Sequence, residues 1–154
     1  SLRDNGKIIH DRPGTNSKMS EADCAQMTVK LQYFDEWQRR RTDIANYYID
    51  HLYQYCDILI PNEHVTHAWH KFVILLSNRH ALEHHLAIKG IKTKIHYSQI
   101  LPELPVGEQY ADLAREPYRS SYAFTRECLS LPIYPELTDN EIEFIADSII
   151  EFLR

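Results

Sequence analysis

Ser20-Glu21-Ala22-Asp23 constrains what this chain can fold into more than any other stretch, because it sets where a long helix begins. A serine N-cap accepts from the backbone N–H three residues on, so the segment reads as a capping box with Asp in the usual place of Glu. From there Met27, Leu31, Phe34, Ala45, Tyr48 and Leu52 recur at helical spacing. That pattern predicts one long N-terminal helix from Ser20 to Leu52 or Tyr55. Tyr33, Phe34 and Trp37 near its middle read as core or dimer contact, since aromatic groups of this size usually pack. Just ahead of the helix runs the polar turn Gly14-Thr15-Asn16-Ser17-Lys18-Met19. Asn16 and Lys18 there precede a helix N-terminus, where unpaired amides and the dipole favour an anion such as phosphate. Taken by themselves these residues favour a plain loop and cap without a ligand.

The rest of the chain alternates short apolar runs with helical patterns. A short extended piece, residues 57–60, ends at Pro61 and Asn62. Residues 69–76 are rich in β-formers and bounded by Ser77-Asn78, which predicts a buried strand, with Asn78 then capping a helix that ends at Lys89 and Gly90. Ile91, Thr93, Ile95 and Tyr97 alternate with Lys92, Lys94 and His96, the period of a half-covered strand that carries His96 and Tyr97 to its end. Residues 98–107 form a long proline-bearing loop, residues 117–126 a helix, and residues 128–133 a third strand. Thr138-Asp139-Asn140-Glu141 is a second capping box, followed by the inward stripe Ile142, Ile145, Ile149 and Phe152 or Leu153. The expected fold is α+β: a short, mostly antiparallel three-stranded sheet covered by helices.

Composition narrows the function classes. The 154 residues carry a net charge of −5 with signs interspersed, which argues against a nucleic-acid surface. Arg39-Arg40-Arg41 is the one basic run, and Asp35/Arg39 and Glu36/Arg40 at i,i+4 predict a solvated helix face. There is no long apolar run and no signal-peptide pattern, so the expectation is a cytoplasmic chain with no membrane partner. Cys24, Cys56 and Cys128 are odd in number and far apart, as reduced thiols would be. His80 and His84 share a helix face at i,i+4 but lack acidic or cysteine companions, and no metal site is assigned. Residues 1–19 read as a linker and loop arriving from another domain, and residues 20–154 as one domain. With four glycines and no Ser-His-Asp order, no catalytic residue is assigned to the chain.

Gly14-Thr15-Asn16-Ser17-Lys18-Met19-Ser20-Glu21-Ala22 resembles the G-x-N-x-[RK]-M-S-E segment of the DegT/DnrJ/EryC1/StrS family of pyridoxal-phosphate-dependent sugar aminotransferases. Three more stretches match in the same order: His67-Ala68-Trp69-His70-Lys71-Phe72, then Gly90-Ile91-Lys92-Thr93-Lys94-Ile95-His96-Tyr97, then Leu129 through Thr138. The resemblance is to the family's C-terminal small domain, a part of the fold-type I aminotransferase architecture. It implies that Asn16 reaches across a dimer interface to the cofactor phosphate. It places Lys18 where many members have an Arg near the substrate, and His96 and Tyr97 on the wall of the sugar-nucleotide pocket. Ser17 stands where many members have Tyr, and Ser98 where Pro usually follows the His-Tyr pair. His67 and His70 are taken as framework around Trp69, whose ring is expected to pack under the long helix.

The same resemblance implies that the Schiff-base lysine belongs to a large domain missing from this chain, so pyridoxal phosphate is expected only with that domain. Two readings follow. In one, the chain is the C-terminal part of an aminotransferase moving an amino group from an amino acid, with glutamate the expected donor, to a keto-sugar nucleotide. Its partners are then the large domain, or a second copy in a homodimer, and the nucleotide-sugar substrate. In the other, it is a free-standing or truncated domain without activity that serves as a dimerisation or binding module.

Overall fold

In the computed structural model the described residues are 18–105 and 118–154. They fall into two units, Ser1–Asp35 and Glu36–Arg154. Asn16, with the rest of the Gly14 turn as far as Ser17, lies outside the described residues.

In the first unit, α1 (Glu21–Leu31) starts at the expected cap. The Asp23 amide donates to Ser20 Oγ at 3.2 Å, and the Ser20 hydroxyl donates to Asp23 Oδ2 at 2.6 Å. Helix α1 buries none of its residues. The predicted run to Leu52 is helical at nearly every position but divides at Gln32 and Tyr33, and α2 occupies Phe34–Leu52. The amides of Gln32 and Tyr33 donate to Val29 O and Lys30 O, three residues back in place of four. That tightening is how a helix ends without a glycine, and apolar spacing does not register it.

The second unit is built on the antiparallel sheet order β1-β2-β3, from β1 (Asp57–Ile58), β2 (Phe72–Leu75) and β3 (Cys128–Leu131). The short extended piece after α2 is thus a true edge strand. Its residues Asp57 and Ile58 face Leu75 and Ile74, and the Leu59 amide donates to Val73 O. Helices α3 (Arg79–Ile88), α4 (Arg119–Glu127) and α5 (Asp139–Leu153) complete the unit. One sheet face carries Phe72 and Ile74, and with Leu129 and Leu131 it joins Ile44, Tyr48 and Leu52 of α2, Leu82 and Leu86 of α3, and Ile145 and Ile149 of α5 in one core. Burying each such side chain contributes about 1.5–3 kcal/mol.

Residues 91–97 do not form a strand. They meet the sheet at a single antiparallel bridge, Lys94 to Ser130, with both amides bonded at 3.1 and 2.8 Å. In that register the next bonded pairs are Lys92 with Pro132 and His96 with Cys128. Pro132 has no N–H, and the Cys128 amide is already used by Phe124 O at the end of α4. The alternation of side chains is present, but the ladder has nowhere to grow.

The strand predicted for residues 69–76 begins three residues later. Trp69 sits at φ 46°, in the left-handed region, with its amide donating to His67 Nδ1 at 3.0 Å. Its ring is buried, 5.8 Å from Phe72, whose ring is 5.1 Å from Tyr48 of α2, so Trp69 packs beneath the helix as expected. Asn78 precedes α3, but its side chain makes no capping bond. At the other end Gly90 has φ 79°, and the Gly90 and Ile91 amides donate to Ala87 O and Leu86 O, the bond pattern of a Schellman cap.

Arg40 and Arg41 correct the solvated-face expectation. Arg40 pairs with Asp139 at 2.7 Å and donates to Leu137 O, while Arg41 donates to Ile133 O at 2.7 Å. The two arginines tie α2 to the connection between β3 and α5. Thr138 caps α5 as predicted, exchanging bonds with Glu141 in both directions. No described helix is long and apolar enough to cross a membrane.

Candidate substrate-side site

Cross-strand neighbours share a sheet face, so the register assigns side chains to it directly. Val73 faces Ser130 and Leu75 faces Cys128, which puts these four on the face opposite Phe72 and Ile74. Lys94 faces Ser130 from the other side, so it joins the same face. His96, two residues on, lies over this face as well: its Nδ1 is 3.0 Å from the Ser130 hydroxyl oxygen. The Cys128 thiol, buried, sits 3.8 Å from both His96 O and Tyr97 O and is placed to donate to them.

The support beneath Cys128 is also buried. Arg79, at the start of α3, donates from Nη1 to Thr125 O and, at 3.3 Å, to Cys128 O. Its Nε has no hydrogen-bond partner among the described residues. Arg79 therefore joins the last turn of α4 to the first residue of β3, the junction on which the His96–Tyr97 backbone rests.

Of the pair that the sequence singled out, His96 is half-buried and Tyr97 is 68% exposed, so the ring of Tyr97 is open to a ligand. The Lys71 ammonium stands 5.0 Å from the centre of that ring, within range of a cation–π contact. His96 titrates below the usual histidine range, because partial burial disfavours its charged form and Lys71, Lys94 and His70 repel it. Beside the pair is an open, largely apolar cleft lined by Ile95, Tyr97, Ile100, Pro102, Tyr118 and Phe124.

Lys18 is exposed, ahead of α1 in the first unit. The structure thus gathers His96 and Tyr97 in the second unit, and adds residues that the motif reading did not assign to the site: Lys71, Lys94, Ser130, Cys128 and Arg79. Lys94 was legible, since it alternates in phase with His96. Lys71 was not legible, since its approach to the Tyr97 ring joins segments far apart in the chain.

A family model described as the DegT/DnrJ/EryC1/StrS aminotransferase family matches residues 1–150. Over 152 residues the chain is 36% identical to the erythromycin biosynthesis sensory transduction protein EryC1 of Saccharopolyspora erythraea, covering 96% of this chain and 40% of that protein. It is 31% identical to a dTDP-3-amino-3,6-dideoxy-alpha-D-galactopyranose transaminase of Aneurinibacillus thermoaerophilus, covering 88% of this chain and 37% of that one. Among solved structures, a DegT DnrJ EryC1 StrS aminotransferase from Brucella abortus superposes with a TM-score of 0.84 at 23% identity, over 96% of this chain and 39% of that one. The S. venezuelae DesV structure in complex with a ketimine intermediate superposes at 0.81 with 28% identity, over 96% of this chain and 40% of that one. The chain therefore spans about 40% of the length of the relatives it matches.

Proposed function

Because the chain belongs to the DegT/DnrJ/EryC1/StrS aminotransferase family, we propose that it supplies the substrate side of a pyridoxal-phosphate-dependent aminotransferase. The reaction moves an amino group from an amino acid, with glutamate the expected donor, to a keto-sugar nucleotide. The observation that carries this reading is the placement of the His96–Tyr97 pair: one ring fixed against Ser130, the other open beside a cleft and under a lysine. A half-buried neutral imidazole can donate to a sugar hydroxyl or carbonyl, and an exposed phenol can stack on the ring and hydrogen-bond to it. The nucleotide-linked sugar in the name of the A. thermoaerophilus relative points to the same substrate class.

When bound, the cofactor supplies the electron sink. Its lysine would need a desolvated pocket, and none of the described lysines is buried. In this reading the chain's part is to bind and orient the sugar. Asn16, outside the described residues, is proposed as a donor to the cofactor phosphate across a dimer, and Lys18 as a single-point contact to the substrate.

The test joins this chain to a lysine-bearing large domain of the family and compares two variants. Asn16→Ala is expected to weaken cofactor retention by about 1–3 kcal/mol, the loss of one donor to a charged acceptor. Tyr97→Phe is expected to raise the KM for the sugar nucleotide and leave cofactor dissociation unchanged. Equal effects of both changes on both quantities would make these packing residues and not site residues.

A further inference from the structure

We propose that His67 is a positioning residue for the His96–Tyr97 pair: through the backbone of Trp69 it fixes where His70 and Lys71 stand against that pair. What this does to turnover rests on the substrate-side reading of the pair, while the positioning itself belongs to the chain alone. Trp69 sits at φ 46°. A left-handed conformation is uncommon for any residue with a side chain and rarer for a bulky one, so it persists only where surrounding groups hold it. Two groups do so here. The Trp69 ring is buried against Phe72, and the Trp69 amide donates to His67 Nδ1 at 3.0 Å. A backbone N–H can only donate, so Nδ1 is the unprotonated ring nitrogen and acts as an acceptor.

Histidine Nδ1 lies as many bonds from its Cα as asparagine Oδ1, and a bond from that atom to the amide two residues on is the pattern of an Asx turn. The same loop contains one made by asparagine: the His64 amide donates to Asn62 Oδ1 at 3.0 Å. His67 adds two further ties. Its ring meets the Trp69 ring edge-on at 4.6 Å, and its carbonyl accepts from Gln38 Nε2 at 3.1 Å, which joins the turn to α2. Trp69 goes into the core, and the next two residues reach the site. The Lys71 ammonium is 5.0 Å from the centre of the Tyr97 ring, and Lys71 and His70 both act on the charge of His96. Because β2 holds the chain only from Phe72 onward, a change of backbone conformation at Trp69 swings residues 70 and 71 together. No hydrogen bond or ring contact joins His67 to the pair among the described residues, so its action on them runs through Trp69.

The test compares His67→Ala with His67→Asn in the 154-residue chain, with His64→Ala as the control, since His64 is an exposed histidine of the same loop. NMR follows two signals: the NOE between the end of the Lys71 side chain and the Tyr97 ring, and the titration midpoint of His96. His67→Ala should weaken the NOE and raise the His96 midpoint, because Lys71 and His70 then repel its charge from farther away. His67→Asn should restore both, because Oδ1 accepts the same amide, and His64→Ala should change neither. An alanine variant that moves neither signal, or an asparagine variant that behaves like alanine, overturns the proposal. A lowered urea midpoint in His67→Ala with both signals unmoved also overturns it, since the residue then serves stability alone. In the chain joined to a lysine-bearing large domain, His67→Ala should raise the sugar-nucleotide KM about fivefold with kcat and the glutamate KM unchanged, and His67→Asn should reverse the rise. The two claims fail separately. NMR signals that move as stated, in an assembly that transaminates no sugar nucleotide, keep the positioning role and remove the aminotransferase reading. Transamination with a KM indifferent to His67→Ala keeps that reading and removes the part of His67 in it.

Discussion

His96 is where charge, burial and the proposed function meet. Its folded-state midpoint lies below the ordinary value of 6.5, through partial burial first and then through Lys71, Lys94 and His70. Between those two values the unfolded chain holds more protons than the folded one, so stability rises with pH through the window. The contribution is complete above about pH 6.5 and is lost as pH falls through the folded midpoint. Lys71→Gln should move the midpoint back up, and a ring titration by NMR reads this directly; an unmoved midpoint would mean that Lys71 does not contribute to it. The cysteines give a second residue-scale prediction. Cys24 is exposed, Cys128 is buried, and the Cys56 thiol is pushed up to about 11 by burial and then by Asp57. At pH 8 only about one Cys56 in a thousand is then thiolate. Iodoacetamide should label Cys24 first and Cys128 only on unfolding, with peptide mass spectrometry giving the order.

At the scale of elements, the caps and the Arg79 junction carry the predictions. Thr138→Ala removes the acceptor for the Glu141 amide at the start of α5 and should cost about 1 kcal/mol in urea unfolding. Arg79→Ala leaves the buried Thr125 and Cys128 carbonyls without that donor, with an expected loss of about 1–3 kcal/mol for each acceptor left unmet. It should also broaden the Tyr97 ring signals, since the backbone of the pair rests on Cys128; a destabilised protein with unchanged Tyr97 signals would separate the junction from the site. The sequence showed the caps of α1 and α5 and the left-handed Gly90 because each is decided by residues within one turn. The division of the first helical run at Gln32 was not legible, since it involves no breaker residue. Nor was the loss of a strand at residues 91–97, because what stops that ladder is Pro132 and the occupied amide of Cys128, more than thirty residues away. The edge strand at Asp57 was visible only as an extended piece, with too few residues to show a period.

For the whole molecule, the site divides in the same way. His96 and Tyr97 stood out in a local motif, whereas Ser130 meets them through strand register, Lys71 through contact with the Tyr97 ring and Arg79 through burial, none of which leaves a local pattern. Met27, Leu31 and Phe34 are exposed by 45%, 64% and 54%, and these apolar side chains predict self-association of the isolated chain. Sedimentation at rising concentration should show mass above that of one chain, and a strict monomer at high concentration contradicts this. Mixed with pyridoxal phosphate and then borohydride, the isolated chain should carry no stoichiometric lysine label, since the family resemblance puts the Schiff-base lysine in the large domain. The most direct test of the account joins the chain to a lysine-bearing large domain and measures amino transfer from glutamate to a nucleotide-linked keto sugar and to a free keto acid. The account predicts turnover of the nucleotide-linked sugar, with His96→Ala and Tyr97→Ala each raising its KM at least tenfold while the KM for glutamate stays within twofold. Turnover confined to the free keto acid, indifferent to both substitutions, would contradict it.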